Sequence, residues 1–142
     1  MKPNASLLIT ALAAGGLIVA AALAQDTKSG SEEWVAPSRA AKKKNPIEAN
    51  EVSLAKGKPV WVKECASCHG DKGKGDGPAV KDLEKKPEDL TLPKTLNQTD
   101  GALFWKIAEG RKPMATYEKT LNEEDRWHVI NYLRILAPKP AK

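Results

Sequence analysis

Both cysteines of this 142-residue chain stand in one stretch, Glu64-Cys65-Ala66-Ser67-Cys68-His69-Gly70, with one of its two histidines. Two thiols and an imidazole at this spacing support three chemistries: a redox dithiol, a metal site, or a covalently attached haem. A structural zinc site needs four ligands, usually two cysteine pairs or cysteine with histidine. Cys65, Cys68 and His69 make three, and the other histidine, His128, lies far along the chain. A redox Cys-x-x-Cys expects a helix end inside a βαβ unit, and the sequence has no alternating strand pattern to build one. Haem attachment uses all three side chains. In Cys-x-x-Cys-His the thiols add across two vinyl groups and the histidine ligates iron. Cysteines three apart on a helical turn point their sulfurs to one side.

A haem iron then needs a ligand from its other face. Met1 belongs to the N-terminal segment, which leaves Met114 in Gly110-Arg111-Lys112-Pro113-Met114-Ala115-Thr116-Tyr117. A single methionine is in general a core filler. Here it is the soft ligand on offer, in a loop, and Met/His is a known axial pair. His128 is the rival ligand, but it sits mid-helix among apolar residues. With His69 and Met114 both bound, no position is left for oxygen or substrate. A thioether favours ferrous iron and raises the potential. The expected activity is single-electron transfer, without bond-making catalysis.

The glycine run His69-Gly70-Asp71-Lys72-Gly73-Lys74-Gly75-Asp76-Gly77-Pro78 is neither a phosphate loop nor a calcium loop. No Gly-Lys-Ser/Thr follows, and no closing Glu is present. It suits a tight loop beside a flat cofactor, where glycine lets backbone approach closely. A carbonyl near Pro78 is placed to accept the Nδ1–H of His69 and orient the ring.

These residues need elements to hold them. Gly57, Trp61 and Cys65 share a helical face. Pro59 forces that helix either to start near Lys58 or to kink. Residues 70–98 read as loop with at most a short helical turn. Asp100 to Glu109 reads as a helix stopped by Gly110. The last helix is the clearest. Asn122 caps it, Glu123, Glu124 and Asp125 fill its first turn, and Trp127, Val129, Ile130, Tyr132, Leu133 and Leu136 form a broad apolar face before Pro138. The class is all-α.

The first 24 residues carry Lys2, an apolar run and Ala22-Leu23-Ala24, the pattern of a cleaved export signal. The alternative is an uncleaved membrane anchor. Residues 25–50 read as a polar arm or linker, residues 51–138 as the functional domain, and residues 139–142 as a tail. Lys and Arg total 23 against 18 Asp and Glu, a formal charge of +5. That mild excess suits a partner with an acidic docking face. Nucleic acid would call for clustered arginine and interleaved aromatics.

From "GKPVWVKECASCHGDKGKGDGP", "PEDLT", "DGALFWKIAEG", the Met114 loop and "LNEEDRWHVINYLRIL", the chain resembles the class I, monohaem, c-type cytochromes of the exported bacterial branch. The resemblance implies three to five helices wrapped around one haem c, bound covalently through Cys65 and Cys68. It implies iron ligation by His69 and Met114, with Pro78 accepting from His69. It implies a crossing of the first and last helices, Gly57 and Trp61 against Val129 and Tyr132. Trp105 and Arg111 become candidates near the haem or its propionates. The chain departs from many relatives in reading Pro113-Met114-Ala115 where they read Met-Pro. The implied protein is a monomeric periplasmic electron carrier serving redox partners with acidic docking faces. The alternative is a haem subunit or dedicated acceptor of a membrane oxidase or periplasmic dehydrogenase, membrane-held if the N-terminal segment is uncleaved. A haem sensor or peroxidase would need an open sixth position.

Overall fold

The computed structural model describes residues 33–137. The expected export segment 1–24, the start of the arm, Pro138 and the tail 139–142 lie outside the described residues. The elements are α1 (Ser38–Ala41), α2 (Glu51–Val60) running on as a π-helical turn (Trp61–Cys65), α3 (Ala66–His69), a 3-10 turn (Pro78–Asp82), α4 (Pro93–Leu96), α5 (Asp100–Glu109) and α6 (Glu123–Leu136). Among the described residues the β-type pairing is one isolated bridge, Arg111 with Met114. The fold is all-α, as the sequence implies.

Helix α2 begins at Glu51 rather than near Lys58. Asn50 caps it, its side chain accepting from the Ser53 N–H at 3.0 Å. A cap satisfies one of the four orphan donors of a helix start. Pro59 therefore falls at the far end of α2. Having no N–H, it breaks the i to i−4 ladder, and the helix passes into the wider π turn that carries Cys65. Such turns occur mostly as local insertions in α-helices, often at functional sites.

Helix α6 starts where its Asn122 cap predicts, and α5 spans the expected Asp100–Glu109 with Thr99 as its cap. The Thr99 side chain accepts from the Ala102 N–H at 3.2 Å, and Asn122 from the Asp125 N–H at 2.8 Å. Trp61, Leu103, Phe104, Trp127, Val129, Ile130 and Leu133 form the core.

Helix α2 crosses α6 at Gly57. A Cβ at Gly57 would lie 2.1 Å from the His128 carbonyl oxygen and 3.0 Å from the Tyr132 Cβ, so glycine alone permits this approach. Trp61 packs on Tyr132 with ring centres 6.3 Å apart. A buried polar chain runs beside the crossing. Ser53 Oγ meets His128 Nδ1 at 2.8 Å, and Asn131 Nδ2 donates to Ser53 Oγ at 2.8 Å and to the Ile47 carbonyl at 3.1 Å. His128 is thus buried in the helix seam, with its ring nitrogens occupied by Ser53 and Glu124.

Candidate haem site

The π turn and α3 place Cys65, Cys68 and His69 within five residues of one helical segment. Both cysteines are half-buried free thiols. Burial, then the charges of Glu64 and Cys68, push the Cys65 thiol up to about 12. Among the described residues no three His, Cys, Asp or Glu side chains converge as ligands of one ion.

The glycine run lies directly against this segment. The Gly75 N–H donates to the His69 carbonyl at 2.8 Å, and the Gly77 N–H to the Cys68 carbonyl at 3.2 Å. Two carbonyls left over at the end of α3 are satisfied in this way. A Cβ on Gly77 would stand 2.3 Å from the Ser67 carbonyl oxygen. The glycines thus let the loop close on the backbone of the Cys-x-x-Cys-His turn.

His69 is half-buried beside Trp61, ring centres 6.2 Å apart. Burial pushes its imidazole below the ordinary histidine value, and the nearby backbone of Glu88 offsets this in part. Its Nδ1 is buried without a hydrogen-bond partner. The expected bond to the Pro78 carbonyl is therefore not made. Pro78 instead opens the 3-10 turn, a structure whose carbonyls serve its own i to i+3 bonds.

Met114 is half-buried in a tight turn, its N–H donating to the Arg111 carbonyl at 2.9 Å. The loop folds back on the end of α5. Thr116 Oγ1 donates to the Ala108 carbonyl at 2.6 Å, and the Tyr117 N–H to those of Ile107 and Ala108 at 3.2 and 3.1 Å. Of these loop residues, Tyr117 also reaches the cysteine segment: its hydroxyl donates to the Glu64 carbonyl at 2.7 Å. Burial first, then Cys65, Glu64 and Cys68, push its phenol up to about 12. The sequence reading missed Tyr117. Its signal was an aromatic in a polar loop three residues past the candidate ligand.

Trp105 and Arg111 come together at Trp34 of the arm, Arg111 being also the bridge partner of Met114. The Trp34 and Trp105 rings lie 6.2 Å apart, and the Arg111 guanidinium stands 5.1 Å from the Trp34 ring centre. Both are thus placed at the α5–arm contact.

Two unpaired thiols on one turn, followed by an imidazole with an unpartnered buried nitrogen, fit covalent haem attachment. Cys65 and Cys68 would form the thioethers, and His69 would be the adjacent iron donor.

Comparison with known proteins agrees. Residues 52–133 match the family model described as cytochrome C oxidase, cbb3-type, subunit III. No curated protein matches the chain. The chain is similar to a chain of the Kuenenia stuttgartiensis reducing HAO-like protein complex, with 28% identity and a TM-score of 0.60. The match covers 66% of this chain and 47% of that one, so this chain spans about half the length of that relative. It is also similar to the KustC0563 c-type cytochrome, with 17% identity, a TM-score of 0.49 and coverage of 58% of this chain and 98% of that one. No helix among the described residues is long and apolar enough to cross a membrane. With its Cys-x-x-Cys-His turn set in an all-α fold, the chain belongs to the cbb3-type subunit III family of cytochromes c, and is a monohaem electron-transfer protein with one haem c held covalently through Cys65 and Cys68.

Proposed function

We propose that the chain is a periplasmic one-electron carrier in which His69 and Met114 are the axial ligands and which performs no bond-making catalysis. Haem c, when bound, supplies an iron that alternates between Fe(II) and Fe(III). The protein's part is to hold two ligands and exclude others. His69 is fixed by α3, by the Gly75 and Gly77 bonds to its turn, and by Trp61. Met114 is held by its own turn and by the loop's bonds to α5. The observation that carries this reading is the Tyr117 hydroxyl on the Glu64 carbonyl at 2.7 Å, because it ties the only methionine loop of the domain to the cysteine segment. A fixed pair of ligands lowers the rearrangement that accompanies each change of iron charge.

A second reading has support of its own. The family model is that of an oxidase subunit, and one similar structure is a chain of a larger redox complex. In that reading the chain is a dedicated haem subunit of one assembly, with the same site. Copurification with a large oxidase or dehydrogenase separates the two.

The ligand pair is tested by the optical spectrum of the exported holoprotein, oxidised and reduced. A weak band near the red edge, from sulfur-to-ferric-iron charge transfer, is expected in the wild type and absent in Met114→Ala. Its absence from the wild type, with ready carbon monoxide binding, would move a sensor or enzyme to the front.

A further inference from the structure

The arm lies wholly before the residues that match the family model, 52–133, and yet its described part, from residue 33, builds a surface on the domain. Between α1 and α5 runs a shallow groove of about 570 Å³. Pro37, Ala40 and Trp105 give it an apolar floor, and Arg39, Lys42 and Lys43 rim it. From residue 34 to 47 the chain carries Arg39, Lys42, Lys43 and Lys44 and no Asp or Glu. Lys43 is engaged within the domain, with Glu123 and over the Phe104 ring at 4.3 Å. Arg39 and Lys42 are exposed. The arm holds them in place through the Lys42 N–H to the Ser38 carbonyl at 3.2 Å and the Thr99 hydroxyl to the Ala41 carbonyl at 2.7 Å.

The groove also adjoins the ligand loop. Trp105 in its floor touches Trp34, Trp34 lies under Arg111, and Arg111 pairs across the turn with Met114. We propose that this groove is the docking surface for a protein redox partner, which seats an apolar side chain on Trp105 and presents carboxylates to Arg39 and Lys42. An apolar centre with a charged rim is the anatomy of a protein interface. Complementary charge at the rim sets approach and orientation more than it sets affinity. A concave floor favours a protruding side chain over the flat face of a lipid bilayer. The purpose assigned to this groove rests on the electron-carrier reading; the binding itself does not.

The test uses the reduced holoprotein and a synthetic peptide with a leucine pair flanked by glutamates, at low salt. NMR reads the Trp105 indole N–H and yields the dissociation constant. Two double variants are compared, Arg39→Glu with Lys42→Glu, and Lys72→Glu with Lys74→Glu on the glycine-rich loop. Both change the net charge equally. The expected result is a Trp105 shift in the wild type, at least about tenfold weaker binding in the first variant, and less than about twofold change in the second. Equal weakening in both would mean that only net charge matters and would overturn the proposal. So would failure of the peptide to bind while phosphatidylglycerol vesicles shift the same residues, which would make the groove a lipid contact. Optical spectra of every sample keep the questions apart: wrong axial ligands would show there and leave the titration unchanged.

Discussion

Substituting Gly57 by alanine tests how the domain is closed. The new Cβ would lie 2.1 Å from the His128 carbonyl oxygen, against 3.4 Å at the near edge of ordinary contact, a shortfall of about 1.3 Å. The obstacle is backbone of a buried helix, so no rotamer change relieves it. Helices α2 and α6 must part. Overpacking of this kind costs about 1–3 kcal/mol. Parting by that distance also stretches the 2.8 Å bond between Ser53 and His128 beyond bonding range, a further loss of about 1 kcal/mol. Against this, alanine in a helix gains about 1 kcal/mol over glycine. The net loss is about 2 kcal/mol. For a domain of this size each kcal/mol moves the melting temperature by about 4–8 °C, so the variant should melt about 8–16 °C lower. The assay is thermal unfolding of the oxidised holoprotein followed by circular dichroism. A melting temperature equal to or above the wild type would mean that helix propensity outweighs the contact, and would refute the close crossing.

Two further perturbations probe the site and the surface. Tyr117→Phe removes the hydroxyl bond to the Glu64 carbonyl, worth about 1 kcal/mol. Added imidazole should then displace the sixth ligand with about fivefold higher apparent affinity, seen by optical titration; unchanged affinity would show that the bond does not support the Met114 loop. Glu123 and Glu124 are fully exposed carboxyls held below their ordinary value, Glu123 chiefly by Lys43 and Glu124 chiefly by Lys56. A depressed carboxyl contributes stability that is complete above its unfolded value and is lost as pH falls through the folded one. Melting temperature should therefore fall more steeply below about pH 5 in the wild type than in Glu123→Gln/Glu124→Gln. High salt should shrink the difference, and coincident curves at low salt would remove any role for these pairs.

What could be read from the sequence was what is local. The Cys65–His69 spacing, the Asn122 cap and the Gly110 stop each work within a few residues, and each leaves a signature that spacing reveals. Asn50 is also a local cap, yet Pro59 drew the start of α2 toward itself. Its effect is better described as a change of helical pitch one turn later. What escaped depends on segments distant in the chain. Nothing near Tyr117 announces a bond to Glu64, 53 residues away in sequence. Nothing in the sequence near Trp105 announces that Trp34, from the arm, packs beside it. The glycine run was legible as a close approach. Which backbone it approaches, that of Ser67 and Cys68, needed coordinates.

The crossing at Gly57 joins the first long helix of the domain to its last. Everything between them, from Cys65 to Tyr117, is a loop that must be closed before either helix has its main partner, and closing a long loop is an entropic cost met all at once. A chain leaving the ribosome or a membrane pore presents the cysteine turn early and α6 late. A chain cut after Leu121 would keep Cys65, Cys68, His69, Met114 and Tyr117 and lose Trp127, Val129, Ile130 and Leu133 from the core. It would own the ligands without the means to hold them. The same order in time presents the two thiols before α6 docks. Once it has, Cys65 packs against the core that α6 completes. The attachment turn is therefore the early part of the domain, and the helix that completes the core around it is the late part.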